Sequence, residues 1–310
     1  MTALTEHAVV HAPIPDSHAD LLDRPLPAVL TTHLADGRLQ SSVAWFWRHD
    51  GEVRISAMLE SETAASMLTR PRATLLVMDP ADGRWLELRA DVAPVPGSGL
   101  ADLDDAAERY RGVRPYFGGV VAAELAELET PVTFRLAPRA VVAGPTSSRP
   151  PVGPAPGGRP PRWVPSGQDV PIPPSHRDLL DRPIAAALAT HMPGGRAQVQ
   201  PVRCTRDGDL VLVTTTLERR KGRNLVTDPR ATVLVIDPAD PDRWLEVRCD
   251  VEVRTEGAAR LLDRLTRAYT GQPPYYGHVP PAVLAVRATT ETRAVARLHP
   301  RRVTCDATRR

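Results

Sequence analysis

The chain has 310 residues, 42% hydrophobic and 25% charged, and 39 basic side chains against 37 acidic ones leave a formal charge of +2. That is the composition of an ordinary globular protein with about two domains' worth of chain. The near balance of charge argues against a nucleic-acid or polyanion surface.

In chain order, the opening MTALTEHAVVHAPIP has no basic stretch leading into an apolar run, so no secretory signal is expected there. No apolar run approaches the roughly 18 residues of a membrane span, and the expected location is the cytoplasm, with neither membrane nor nucleic acid as partner. AVLTTH (28–33) is a short apolar run that meets an Asp-Gly turn, the pattern of a hairpin strand. ATLLVMD and RWLELRADV follow as further strands. Residues 17–34, 71–82 and 84–92 then return at 175–192, 229–240 and 243–251, identical at 12 of 18, 10 of 12 and 7 of 9 positions. PYFG (115–118) and RLAPRAV (135–141) are likewise answered by PYYG (274–277) and RLHPRRV (297–303). One fold is therefore written twice, with a period far too long for a solenoid.

The expected domains are residues 1–143 and 175–310. Between them, 144–174 holds eleven Pro and five Gly and reads as a semi-rigid polyproline spacer, with Trp163 as a surface aromatic or a plug. In the second copy, AALATH (186–191) and DLVLVTTT (209–216) are strands. WLEVRCDVEV (244–253) alternates with a period of two, which predicts a strand with one face on a core and Glu246, Arg248 and Asp250 in an ion network on the other. GAARLLDRLTRAYTG (257–271) is amphipathic and ends on Gly, the pattern of a helix. Many short strands with few helices predict a mainly β, α+β fold: two small closed or partly split barrels in tandem. Cys204, Cys249 and Cys305 are widely spaced with no CxxC, so neither a disulfide framework nor a metal site is expected.

The copies disagree most between 40–70 and 198–228, where only 6 of 31 positions match. There Arg219, Arg220, Lys221, Arg223 and Asn224 stand against Ser61, Glu62, Thr63, Ala65 and Ser66. Lys221 is the only lysine in the sequence. A GC-rich coding sequence writes arginine by default, so a surviving lysine marks a place where an ammonium is needed. Cations at a strand-to-helix junction, beside the amides of the helix N-terminus, make a phosphate cradle. The plainer alternative is a solvated basic helix start.

Strand, Thr-Thr, Arg-Lys-x-Arg-Asn-Leu (220–225) and Asp-Pro-Arg (228–230), with the LLDRP entry, the RWLEVR strand and the YTGxPxYYG stretch, resemble the FMN- and F420-binding split β-barrels related to pyridoxamine 5′-phosphate oxidase. Within them the resemblance is greatest to the actinobacterial F420-dependent branch. It covers 17–142 and 175–304. It implies cofactor sites at a dimer interface, which a tandem chain would build as an intrachain pseudo-dimer, a monomer in solution. Arg220, Lys221 and Arg223 would hold the cofactor phosphate, with Arg219 also in the cofactor site. Asn224, Thr214 and Thr215 would hydrogen-bond the cofactor, and Gln198, Gln200, Pro201 and Val202 would run under its ring. The first copy keeps Gln40 but not the cations, so one competent site is expected at the interface of the halves. The implied activity is F420-dependent hydride transfer to or from a small organic substrate. The alternatives are an FMN-dependent oxidase and a non-catalytic cofactor, heme or small-ligand binder.

Trp45 and Trp47 are candidates for substrate or ring contact, against barrel packing. Tyr116, Tyr275 and Tyr276 lie in Pro/Gly-rich loops and are candidates for a pocket mouth, against turn anchors. His33 and His191 recur before a hairpin turn and read as strand-end residues rather than catalytic ones. No catalytic residue is assigned.

Overall fold

The duplication in sequence returns as a duplication of elements in the same order. The computed structural model describes residues 12–144, 167–272 and 290–306. The first repeat runs α1 (Asp16–Ala19), β1 (Ala28–His33), β2 (Leu39–Ala44), β3 (Phe46–His49), β4 (Glu52–Met58), α2 (Glu62–Thr69), β5 (Arg72–Met78), β6 (Trp85–Val95), α3 (Gly99–Arg111) and β7 (Pro131–Gly144). The second runs α4 (Asp178–Asp181), β8 (Ala186–Met192), β9 (Arg196–Val202), β10 (Cys204–Asp207), β11 (Leu210–Thr216), α5 (Arg220–Thr227), β12 (Arg230–Ile236), β13 (Trp244–Arg254), α6 (Ala258–Thr270) and β14 (Arg293–Cys305). The strand orders are β2-β1-β5-β6-β7-β4-β3 and β10-β11-β14-β13-β12-β8-β9. Read from the β9 end, the second order matches the first strand for strand. Both are seven-stranded antiparallel sheets curled as half-barrels, so the chain holds two tandem split barrels.

The curl has a readable cause. In each repeat the long last strand carries a proline, Pro138 in β7 and Pro300 in β14. Each lies at a register shift, one between Arg89 and Ala90 and the other between Arg248 and Cys249. Proline has no amide to give a central ladder, so it sits at a bulge, and the bulge bends the strand. The arginine after each proline is bound by an acid across the pair: Arg139 donates to Asp91 at 2.6 Å and Arg301 to Asp250 at 2.7 Å. A second duplicated device is a half-buried tyrosine. Tyr110 donates to Phe46 O at 3.0 Å and accepts from Phe46 N at 3.1 Å. Tyr269 donates to Ile184 O at 2.7 Å and accepts from Cys204 N at 3.1 Å.

The chain divides into two compact units, Met1–Leu30 with Ala44–Pro145, and Thr31–Val43 with Thr146–Arg310. The first has a core that includes Leu21, Leu22, Phe46, Ile55, Leu75, Leu88 and Phe134. The second has one that includes Ile172, Leu180, Leu188, Val211, Leu225, Val247 and Leu298. Thus the segment 31–43, first-repeat sequence, belongs to the second unit. There the Arg38 guanidinium donates to Asp250 at 3.2 Å, Ser41 N to Glu246 at 2.8 Å and the Thr232 hydroxyl to Leu39 O at 2.6 Å.

That arrangement changes the reading of β13. Its alternation predicted a single face on a core, yet Trp244 through Glu252 are buried on both faces. Glu246 and Arg248 bond to each other along the strand at 3.1 Å, and segment 31–43 gives Glu246 and Asp250 a further donor each. A buried charged pair needs such partners to offset its desolvation. Of the proline-rich stretch, 145–166, with Trp163, lie outside the described residues. Its end is part of the second unit: Val170 N donates to Pro300 O at 2.9 Å, and Ile172 is fully buried. The three cysteines are buried and form no disulfide among the described residues.

Candidate functional site

The cation-bearing helix α5 follows β11 with one turn between them, and Gly222 lets it lie against the end of that strand. A Cβ on Gly222 would stand 2.1 Å from the Thr216 carbonyl oxygen and 3.0 Å from Leu217 Cα, both backbone atoms. Only glycine allows such an approach. Beside this junction is a cavity of about 160 Å³. Thr214, Thr215 and Thr216 from β11 line it with Arg219 and Lys221, Ala258 and Leu262 of α6, and Glu291, Arg293 and Ala294 where β14 begins.

Its charges are unequally satisfied. Glu291, with 6% of its side chain exposed, faces Arg219 at 3.5 Å and Arg293 at 3.9 Å. Lys221 has no hydrogen-bond or ion-pair partner among the described residues. Burial, with the Arg219 charge adding to it, pushes the Lys221 ammonium down to about 8. The Thr216 hydroxyl is buried with no partner among the described residues. The helix itself is also open: Arg219 at the N-cap makes no side-chain cap. In the first repeat, Ser61 accepts from Ala64 N at 3.1 Å and closes the equivalent helix. First-turn amides lack partners within any helix, and a serine cap satisfies one of them. Amides without a side-chain cap, with an ammonium and a hydroxyl that have no partner among the described residues, together favour an oxyanion, and a phosphate above all.

The residues singled out in the sequence therefore fall into separate groups. Thr214, Thr215, Arg219 and Lys221 come together at the cavity. Asn224 and Gln198 come together elsewhere: Asn224 Nδ2 donates to Gln198 Oε1 and to Thr190 Oγ1, both at 3.0 Å, and all three residues are buried. This ties α5 to β8 and β9. Gln200 and Pro201 are half-buried on β9, and Val202 is part of the core. Arg220 is exposed and Arg223 half-buried, and neither lines the cavity. Thr216, Gly222, Glu291 and Arg293 were not foreseen. Gly222 was the readable signal, a helix-weakening residue inside a charged helix start.

In the first unit, Trp45 stacks on Tyr110 at 5.2 Å and meets Tyr116 edge-on at 6.1 Å, with the Arg111 guanidinium 5.6 Å over its ring. At the matching place in the second repeat, Arg203 lies 5.7 Å over the Tyr269 ring. Trp47 is half-buried on β3, paired with Arg54 of β4. His33 and His191, both in the second unit, have ring centroids 5.9 Å apart. Burial lowers the His191 pKa against the opposing pull of Asp228. Tyr275 and Tyr276 lie outside the described residues.

Residues 172–304 match the family described as pyridoxamine 5′-phosphate oxidase. The chain belongs to this family. Its relatives of known structure match over one repeat's length. An F420 reductase is 31% identical, with a TM-score of 0.37, over 43% of this chain and 98% of that one. A conserved hypothetical protein of Mycobacterium tuberculosis is 20% identical, with a TM-score of 0.33, over 43% and 85%. HutZ, the heme storage protein of Vibrio cholerae, is 15% identical, with a TM-score of 0.33, over 42% and 94%. No curated protein matches.

Proposed function

We propose that the second repeat binds one phosphate-bearing redox cofactor per chain, F420 or else FMN, and that the protein is an oxidoreductase acting on a small organic substrate. The observation that carries this reading is Lys221, an ammonium with no counter-ion among the described residues, at a cavity beside a helix N-terminus without a side-chain cap. Lys221 and the first-turn amides of α5 would hold the phosphate, with Arg219 adding charge and Thr216 a hydroxyl donor. Arg220 and Arg223 put further positive charge on the same helix, which suits the acidic tail of F420 and, with the sequence resemblance, favours it over FMN. When bound, such a cofactor supplies hydride chemistry, and the protein's share is position and electrostatics. Asn224, through Gln198 and Thr190, keeps α5 seated so that its N-terminus stays at the cavity. The first repeat, with Ser61 as cap and Thr63 in place of the lysine, binds none.

The test is mass spectrometry of whatever co-purifies, followed by titration with F420 and with FMN. One equivalent per chain is expected. Lys221→Ala should weaken binding by about 1.5–3 kcal/mol, the worth of a hydrogen bond to a charged group. Two equivalents per chain, or no binding of either cofactor, overturns the reading.

A further inference from the structure

The cavity beside α5 combines two arginines that share one carboxylate with an amine and a buried hydroxyl that have no partner among the described residues. We propose that Lys221 is an imine-forming site for small carbonyl acids, molecules that carry an aldehyde or ketone together with a carboxylate or phosphate. This goes beyond the cofactor reading and does not depend on it.

Three features support it. The Lys221 amine is not held by any carboxylate among the described residues, and its lowered proton affinity leaves part of it uncharged near neutral pH. That is the state in which a lysine becomes a nucleophile. Arg219 faces Glu291 at 3.5 Å, longer than a close fork-to-fork pair, so its guanidinium can also donate to the acid group of a ligand. The Thr216 hydroxyl, buried and unpartnered on the same wall, is placed to hydrogen-bond the carbonyl oxygen. At about 160 Å³ the cavity suits a small ligand, and Ala258 and Leu262 give it an apolar side.

In the step, the Nζ lone pair forms a bond to the carbonyl carbon. The C=O π pair moves to oxygen, which takes a proton to give a carbinolamine. That oxygen then leaves as water while nitrogen loses its second proton, giving C=N. Nothing is oxidised or reduced. The first repeat has Thr63 at the equivalent position and cannot do this.

The sequence makes the test clean, because Lys221 is the only lysine and the α-amine is the internal reference. Full-length protein is incubated with glyoxylate and borohydride, which reduces any imine to a stable amine, and the labelled peptides are identified. Lys221 should be labelled at least about tenfold faster than the α-amine, and about tenfold faster with glyoxylate than with acetaldehyde, tenfold corresponding to 1.4 kcal/mol. Inorganic phosphate should slow the reaction. Lys221→Arg, folded by circular dichroism, should show no label at that position. Equal rates with the two aldehydes, labelling of the α-amine alone, or indifference to phosphate overturns the proposal. The two-aldehyde comparison needs no variant. Cofactor titration of the same sample reads the other proposal separately, so intact cofactor binding with no Lys221 label sinks only this one.

Discussion

Among the described residues, no protein group hydrogen-bonds the Lys221 ammonium or the buried Thr216 hydroxyl. A buried hydroxyl without a partner costs about 1–3 kcal/mol, so Thr216→Val should leave thermal stability unchanged or raised while weakening phosphate binding. Lost stability on thermal melting would show that the hydroxyl has a partner after all. The Lys221 charge follows pH in a definite direction. Its pKa is pushed down to about 8 in the folded chain, whereas an unfolded lysine titrates near 10.4. Between those values the unfolded chain holds more protons, so stability rises with pH across that window. Anion binding needs the ammonium and should weaken as pH climbs through about 8. Phosphate affinity that is flat from about pH 8 to about pH 10, a range in which the charge on phosphate barely changes, would contradict this. The lysine was legible in the sequence through its rarity. Thr216 was not, because nothing in three consecutive threonines tells which hydroxyl ends up without a partner.

At the scale of elements, the important contact is α5 against β11, and it rests on Gly222. Adding one methyl group there meets backbone that has no rotamer to yield, and overpacking of this kind costs about 1–3 kcal/mol. Gly222→Ala should therefore lower the melting temperature and also weaken cofactor binding, by displacing the helix from the cavity. A variant with normal stability and binding would mean that α5 is free to shift. The first repeat has Ala64 at this point, consistent with a helix no longer held to a ligand-bearing position. Asn224→Ala acts from the other end of the same helix. It leaves the buried Gln198 carbonyl without its donor, with an expected loss of about 1–3 kcal/mol. Most strands and α6 were readable from periodicity and matched repeats. The burial of both faces of β13 was not, since alternation records which residues are polar and not what later covers them.

Over the whole molecule, repetition was plain in the sequence, and the duplicated tyrosine and arginine devices follow it closely. The division of the chain into units was less visible. No local pattern distinguishes 31–43 from the rest of the first repeat, and its place is set by Asp250, Glu246 and Thr232 far along the chain. Acid should act there. Burial disfavours protonated His191, with Arg230 and Arg38 near it and Asp228 opposing. Its folded pKa thus lies below the ordinary histidine value near 6.5, and stability falls as pH drops through that value. His191→Gln should make acid unfolding less steep below about pH 6.5. The chain also passes between the units at 30/31, 43/44 and 145/146. A protease cut within 145–166 would sever only the last of these crossings, so the two fragments should elute together on gel filtration until denatured. Fragments that separate without denaturant would refute that. The same threading has a consequence for heredity. The first repeat has shed its cations and capped its helix, yet it cannot be discarded, because thirteen of its codons encode part of the other unit. Damage at Arg38 or Ser41 would then surface as a defect in the second repeat, and a geneticist mapping such lesions would find the fault and its effect on opposite sides of the proline segment.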